Sequence, residues 1–319
     1  MRRIGLTGLV TAIALAVAAP AAGQSPPGLE DPEAAIVEEL VVVARERGPA
    51  WWRVKDADTT VYILGIPGGE IPAGLAWDRS LLERRMKGAH SLIVGTTLTA
   101  RVRDVPALLR ARSRMKSKTP MEETLPPELR TRFIAAREKL GKPAGRYAGW
   151  QPIVAAQFLV QDALAERRST SVEQVVRGLA RKNKVPLRST SKYPLMPLLN
   201  AALAGLTPQV QADCMEGALE DVEAGKRRVL NAAEGWAAGD VSAALRAPRS
   251  FDRCVLALAG GAQFWRNTTR DNANDIASAL GKPGHAVAVV NLRRLLAEDG
   301  VVEQLEAQGL TVIGPGEPG

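Results

Sequence analysis

Strand-like apolar runs lie towards both ends of the chain, and between them apolar positions recur mostly at helical spacing. Glu39–Ala44 reads as a first strand, followed by a turn over Arg45–Pro49. Trp51–Val54 and Val61–Leu64 are short β-branched and aromatic runs flanking the polar tetrad Lys55–Asp58, which predicts a hairpin. Gly65-Ile66-Pro67-Gly68-Gly69 interrupts the second run. A polar helix over Asp78–Lys87 and an apolar run at Ser91–Val94 complete a strand–loop–helix–strand unit.

A matching unit closes the chain. Gly261–Leu280 is expected as a helix and Gly281–Gly284 as a turn, before an unbroken β-run at Ala286–Val290. Asn291–Gln308 then reads as one helix with Leu292, Leu295, Leu296, Val302 and Leu305 on its apolar face, and Leu310–Ile313 as a last strand. Strand–helix–strand connections of this kind imply a partly parallel sheet with strand ends meeting at one site.

The stretch between is helical. Leu129–Leu140 follows Thr124-Leu125-Pro126-Pro127, with Thr124 as the expected cap, and Tyr147–Ala165, Ser171–Lys182 and Leu195–Leu206 continue. Val185–Leu187 is a plausible short strand. Thr207-Pro208 opens a long helix through Cys214 to Trp236, which ends near Gly239, and Asp240 caps the next helix. The fold class is therefore α/β (α+β): a mixed central sheet with helical crossovers and a large, mostly helical middle over residues 100–280. Residues 35–314 form a single domain, 25–34 a flexible linker rich in Pro, Gly and acids, and 315–319 a disordered tail.

Met1–Gln24 changes the picture of where this domain works. Arg2 and Arg3 precede the apolar run Ile4–Ala19, and Ala21-Ala22-Gly23 offers small residues for cleavage, the pattern of a secretory signal peptide. The expected product is periplasmic or secreted, with no transmembrane helix and no nucleic-acid partner. Its formal charge of +8 falls to +6 when Arg2 and Arg3 leave, a balance compatible with an anionic ligand or an acidic protein partner. In an oxidising compartment the two cysteines, Cys214 and Cys254, are expected to pair. The basic segment Leu98–Lys118 carries seven arginines and lysines against Asp104 alone. It reads as a solvated helix face or as a partner surface that charge reversal at Arg110 and Arg114 would abolish.

Trp51, Tyr62-Ile63-Leu64-Gly65, Leu125-Pro126, Tyr147 with Trp150 and Pro152, Trp236 with Gly239-Asp240, Arg266-Asn267, and Glu298-Asp299-Gly300-Val301 occur in an order and spacing that resemble the TraB/GumN family. Members related to the Tiki-type Wnt-processing proteases hold a divalent metal through two Gly-x-x-His motifs and nearby carboxylates. The resemblance places the first motif on Gly65-Ile66-Pro67-Gly68, the acidic strand end on Gly95, and the second motif on Asn291-Leu292-Arg293-Arg294. Gly68 and Arg294 thus stand where the histidines would be. Where relatives carry Leu-Glu-Thr, the chain has Ser189-Thr190-Ser191.

Glycine supplies no ligand, and a guanidinium puts a fixed positive charge where a cation would sit. His285 and His90 do not replace the lost pair. His285 precedes its strand and Arg294 follows it, a separation on the order of 20 Å, and His90 lies at the same far end. No Gly-x-Ser-x-Gly, His-Glu-x-x-His or phosphate loop is present. No metal, cofactor or catalytic residue is expected on this reading, which implies an exported non-catalytic binding or scaffolding protein. Arg266, Asn267, Arg293 and Arg294 are the candidate anion-binding residues, beside the close backbone approach that Gly65, Gly68 and Gly69 permit. A metal-dependent hydrolase with relocated ligands is the alternative.

Overall fold

A computed structural model describes residues 31–37, 47–164, 169–189 and 191–316. Its strands are β1 (Trp51–Lys55), β2 (Thr59–Ile66), β3 (Ile71–Pro72), β4 (Leu92–Val94), β5 (Thr97–Thr99), β6 (Ser169–Thr170), β7 (Leu187–Ser189), β8 (Lys192–Pro194), β9 (Gly284–Asn291) and β10 (Val312–Ile313). Six of them form one mixed sheet in the order β10-β1-β2-β9-β4-β7, so the fold is α/β as the pattern implied. The hairpin is present: β1 pairs antiparallel with β2, and β10 covers the outer edge of β1, also antiparallel. From β2 onward the ladder is parallel. The register sets Ile66 opposite Asn291, so the two interrupted motifs end side by side.

Alternation along the strands sends side chains to two separate cores. Trp52, Val54, Val61, Ile63, Ala286, Ala288 and Val290 face one way and pack against Ala273, Ile276 and Leu280 of the helix Gly261–Leu280 and against Leu295, Val302 and Leu305. Trp51, Leu64, Val287, Val289, Leu92 and Val94 face the other way, onto Leu82 and Met86 of the helix Ser80–Met86, Val176 of Val172–Lys182, and Trp236. The small Ala286 and Ala288 let the long helix lie close to the sheet. A third core, built from residues of the helical middle, holds Phe133, Tyr147, Leu159 and Met215.

In that third core Cys214 and Cys254 form a disulfide with their Cα atoms 5.3 Å apart, tying the helix Pro208–Ala224 to Ser250–Leu256. The buried Asp221 carboxylate accepts the amide hydrogens of Ser250 and Phe251 at 2.8 and 2.9 Å, satisfying two donors at the start of the second helix. Burial pushes its pKa above the ordinary aspartate value, and the two amide bonds oppose that rise.

Several expectations need correction. The long helix from Pro208 is two helices, Pro208–Ala224 and Lys226–Ala238, because Gly225 sits at φ +82° between them. The last helix is likewise split, into Leu292–Leu296 and Val301–Ala307, where Asp299 takes φ +56°. Thr124 is no cap: its hydroxyl donates to the Met121 carbonyl, and the helix Pro127–Lys139 starts from Pro126 without a side-chain cap. The short strand placed at Val185–Leu187 lies two residues later, at β7. His285 does not precede its strand but lies inside β9, opposite Thr60. Of the expected linker 25–34 the structure describes Asp31–Ala34, and this part is anchored: Arg249 binds Asp31 through two hydrogen bonds and Glu33 through two more, and Glu33 is buried. The expected leader, the whole of the strand expected at Glu39–Ala44 and the last residues of the tail lie outside the described residues.

Candidate functional site

The parallel strands β2, β9 and β4 run the same way, and their carboxyl ends open into a cavity of about 560 Å³. In open α/β sheets this edge is where ligands bind, because the strands stop and only loops close the space. Ile66, Pro67, Gly68 and Gly69 after β2, Gly95 and Thr96 after β4, and Asn291 and Arg294 at the end of β9 line it. Four of the five positions that the family pattern singles out therefore converge: Gly68, Gly95, Asn291 and Arg294. Gly65 sits just behind, with its carbonyl oxygen accepting a 2.8 Å bond from the Trp236 indole.

Asn291 organises this corner. Its Oδ1 accepts the backbone N–H groups of Arg293 and Arg294 at 3.0 and 3.3 Å, which caps the short helix Leu292–Leu296. Its Nδ2 faces Gly68, where an added Cβ would come within 3.0 Å of it. A larger residue at 68 would have to displace this amide, so the missing side chain at Gly68 and the asparagine at 291 fit one another.

Arg294 provides the charge. Its side chain is mostly buried at the cavity wall, its Nε has no hydrogen-bond partner, and no carboxylate lies at ion-pair distance from it among the described residues. Burial lowers its pKa, while the nearby Glu33 acts in the opposite direction. The acids around the cavity are already engaged. Glu33 accepts from the Trp265 indole and from Arg249, each at 3.1 Å; Glu173 accepts from Arg177 at 2.7 Å; Glu70 is bonded to the Ser169 hydroxyl. Asn272, buried on the helix Gly261–Leu280, and the buried Thr96 hydroxyl, which has no partner, add uncharged polar groups.

The other candidate anion ligands point elsewhere. Arg293 is adjacent to Arg294 in sequence but turns away, and its Nη2 donates to the Leu245 carbonyl. Arg266 and Asn267 belong to an exposed face of the helix Gly261–Leu280, where each meets Gln263. Of the four residues, only Arg294 reaches the cavity. Glu33, Asn272 and Thr96 were missed by sequence reasoning. Glu33 is brought in from the amino-terminal segment by Arg249, 216 positions away, and no local pattern carries that pairing.

A divalent cation does not fit here. Gly68 and Gly95 offer no donor atom, the Asn291 carbonyl oxygen is occupied by two amides, and a guanidinium stands at the position of the second histidine. Among the described residues no three His, Cys, Asp or Glu side chains are grouped as a metal would need. His90 and His285 lie at the opposite end of the strands, where the His90 amide donates to the His285 carbonyl and His285 Nε2 meets the Arg85 carbonyl.

The fold, with its cavity at the ends of paired parallel strands and its two interrupted motifs side by side, defines an α/β protein of a particular kind. The sequence pattern of the TraB/PrgY/gumN family matches residues 50–313, and the chain belongs to that family. No curated protein and no solved structure matches it.

Proposed function

We propose that this is an exported, non-catalytic member of its family that binds a small anionic ligand in the cavity at the carboxyl ends of β2, β9 and β4. The observation that carries the reading is Arg294: a buried guanidinium at the cavity wall with an unmet Nε–H, in place of a metal ligand. A largely buried guanidinium with an unmet Nε–H and no ion pair pays a desolvation cost that its neighbour Glu33 offsets only in part. A carboxylate or phosphate would offset that cost through charge-assisted hydrogen bonds. The Asn291 and Asn272 amides and the Thr96 hydroxyl supply further donors to the same space. Export rests on the leader-like Met1–Gln24.

Two measurements test this. Calorimetric titration with phosphate and with succinate, repeated on Arg294→Met, should give saturable binding for the parent protein and none for the variant. No binding of either anion to the parent overturns the proposed ligand class. Metal content by plasma mass spectrometry, on protein purified without an affinity metal, should stay below about a tenth of an equivalent, since a dedicated site retains its ion. Near one equivalent would favour a hydrolase with relocated ligands.

A further inference from the structure

Exposed apolar side chains are unevenly distributed. Among the described residues six large hydrophobics are exposed, and four of them, Leu98, Val102, Val105 and Leu109, fall within one short stretch. Val102 is 90 % exposed and Leu109 61 %. Val102 begins the single 3-10 turn Val102–Asp104, which runs directly into the helix Val105–Arg114. Positions 102, 105 and 109 therefore project on one side, three and four residues apart. Side chains of this size held out in water on a short helix need a reason.

The same stretch carries Arg101, Arg103, Arg110, Arg112 and Arg114. None of these guanidiniums has an ion pair among the described residues, and the single acid, Asp104, is occupied by the backbone N–H of Arg101 at 2.7 Å. Arg110 and Arg114, one helical turn apart, line a niche of about 270 Å³ with Asn200 of the facing helix Leu195–Ala204. The arrangement is one of protruding apolar side chains among cations with long apolar stems. A groove for an acidic peptide has the reverse form, with apolar residues lining a concavity. The niche has room for a single compact anion.

We infer that Leu98–Arg114 docks the protein onto an anionic phospholipid surface, with Val102, Val105 and Leu109 entering the boundary between headgroups and acyl chains. Arg110, Arg114 and Asn200 take a lipid phosphate in the niche between the two helices, and the remaining arginines stay at headgroup level. Among the described residues no helix is long and apolar enough to cross a membrane, so the attachment is peripheral and reversible. This surface does not depend on the ligand proposed for the cavity.

Co-sedimentation of the protein made from its full-length gene, with vesicles of phosphatidylcholine alone or mixed with phosphatidylglycerol, is the test. Binding is expected on the anionic vesicles only. The double variant Arg110→Gln/Arg114→Gln should bind them about 30-fold more weakly, from roughly 1 kcal/mol per basic residue at such a surface. Val102→Ser/Leu109→Ser should weaken binding about tenfold, since the two side chains bury only part of their apolar area. Both variants should keep the parent melting temperature, because the altered side chains are exposed. Equal binding to neutral vesicles, full retention by both variants, or capture of soluble poly-glutamate in place of vesicles overturns the inference. Loss on the arginine variant alone overturns the insertion of Val102 and Leu109.

Discussion

The indole Nε1 of Trp236 donates a 2.8 Å hydrogen bond to the carbonyl oxygen of Gly65, joining residues 171 positions apart. This bond fixes the end of β2, from which the cavity loop starts, to the helix Lys226–Ala238. Trp236 is held in turn by an edge-on contact with Trp77, ring centroids 5.1 Å apart, and the helix stops at Gly239 in the left-handed region. The tryptophan is thus part of the site's framework, and its indole hydrogen-bonds to Gly65, not to Arg294 or Asn291.

Trp236→Phe should keep most of the packing but leave a buried carbonyl without its donor. The expected loss is about 1–3 kcal/mol of stability. Urea denaturation of the two proteins measures it, and an unchanged midpoint would mean that water replaces the indole.

Gly65 has no room for a side chain. An added Cβ would lie 2.7 Å from Leu292 Cδ1 and 2.9 Å from Trp52 Cζ3. Gly65→Ala should therefore destabilise by about 1–3 kcal/mol through overpacking, whereas Gly69→Ala, where nothing lies within 4 Å, should be close to neutral. Paired thermal melts of the two variants give the comparison.

Replacing both cysteines, Cys214→Ala/Cys254→Ala, should cost about 2–4 kcal/mol by releasing the loop between them in the unfolded chain. The parent protein should show the same loss after reduction, read from denaturation midpoints with and without reductant. The double variant should be insensitive to reductant.

His90 makes stability depend on pH in a defined direction. Burial first, and then Lys282 and Arg188, hold its pKa below the ordinary value of 6.5. The unfolded chain therefore takes up a proton at a higher pH than the folded protein does. Stability is fully present above the unfolded value and falls as pH drops from there towards the folded pKa. The slope from this one group stays under about 1.4 kcal/mol per pH unit. Urea titrations at about pH 7.5 and about pH 5.5 should show a smaller difference for His90→Asn than for the parent.

Arg294→Met should abolish anion binding while leaving stability unchanged or raising it by about 1–3 kcal/mol, because a largely buried cation with no ion pair is exchanged for an apolar side chain of similar length. A melting temperature that falls sharply would show that Arg294 holds the fold together and is not a group kept for a ligand.

Much of this protein was determined by local sequence. The apolar run at β9, the polar tetrad between β1 and β2, and the Gly239-Asp240 stop-and-cap are short-range choices of backbone conformation, and they are found where the pattern put them. The absence of histidine at positions 68 and 294 is likewise a matter of residue identity, legible before any fold is known.

Tertiary structure alone decided the rest. Arg293 and Arg294 are neighbours with the same chemistry, yet one meets the Leu245 carbonyl and the other the cavity, because successive side chains on a short helix diverge by about 100°. Glu33 enters the site because Arg249 and the Trp265 indole, both more than 200 positions away, hold the amino-terminal segment beside it. The breaks at Gly225 and Asp299 interrupt stretches whose apolar spacing continues unbroken, since a helix ends where packing turns it and not only where composition changes. Val102 and Leu109 look no different from core residues in the sequence; they are exposed because the turn at Val102–Asp104 buries none of its residues and the helix that follows turns Ala111 towards the protein, not Val105 or Leu109.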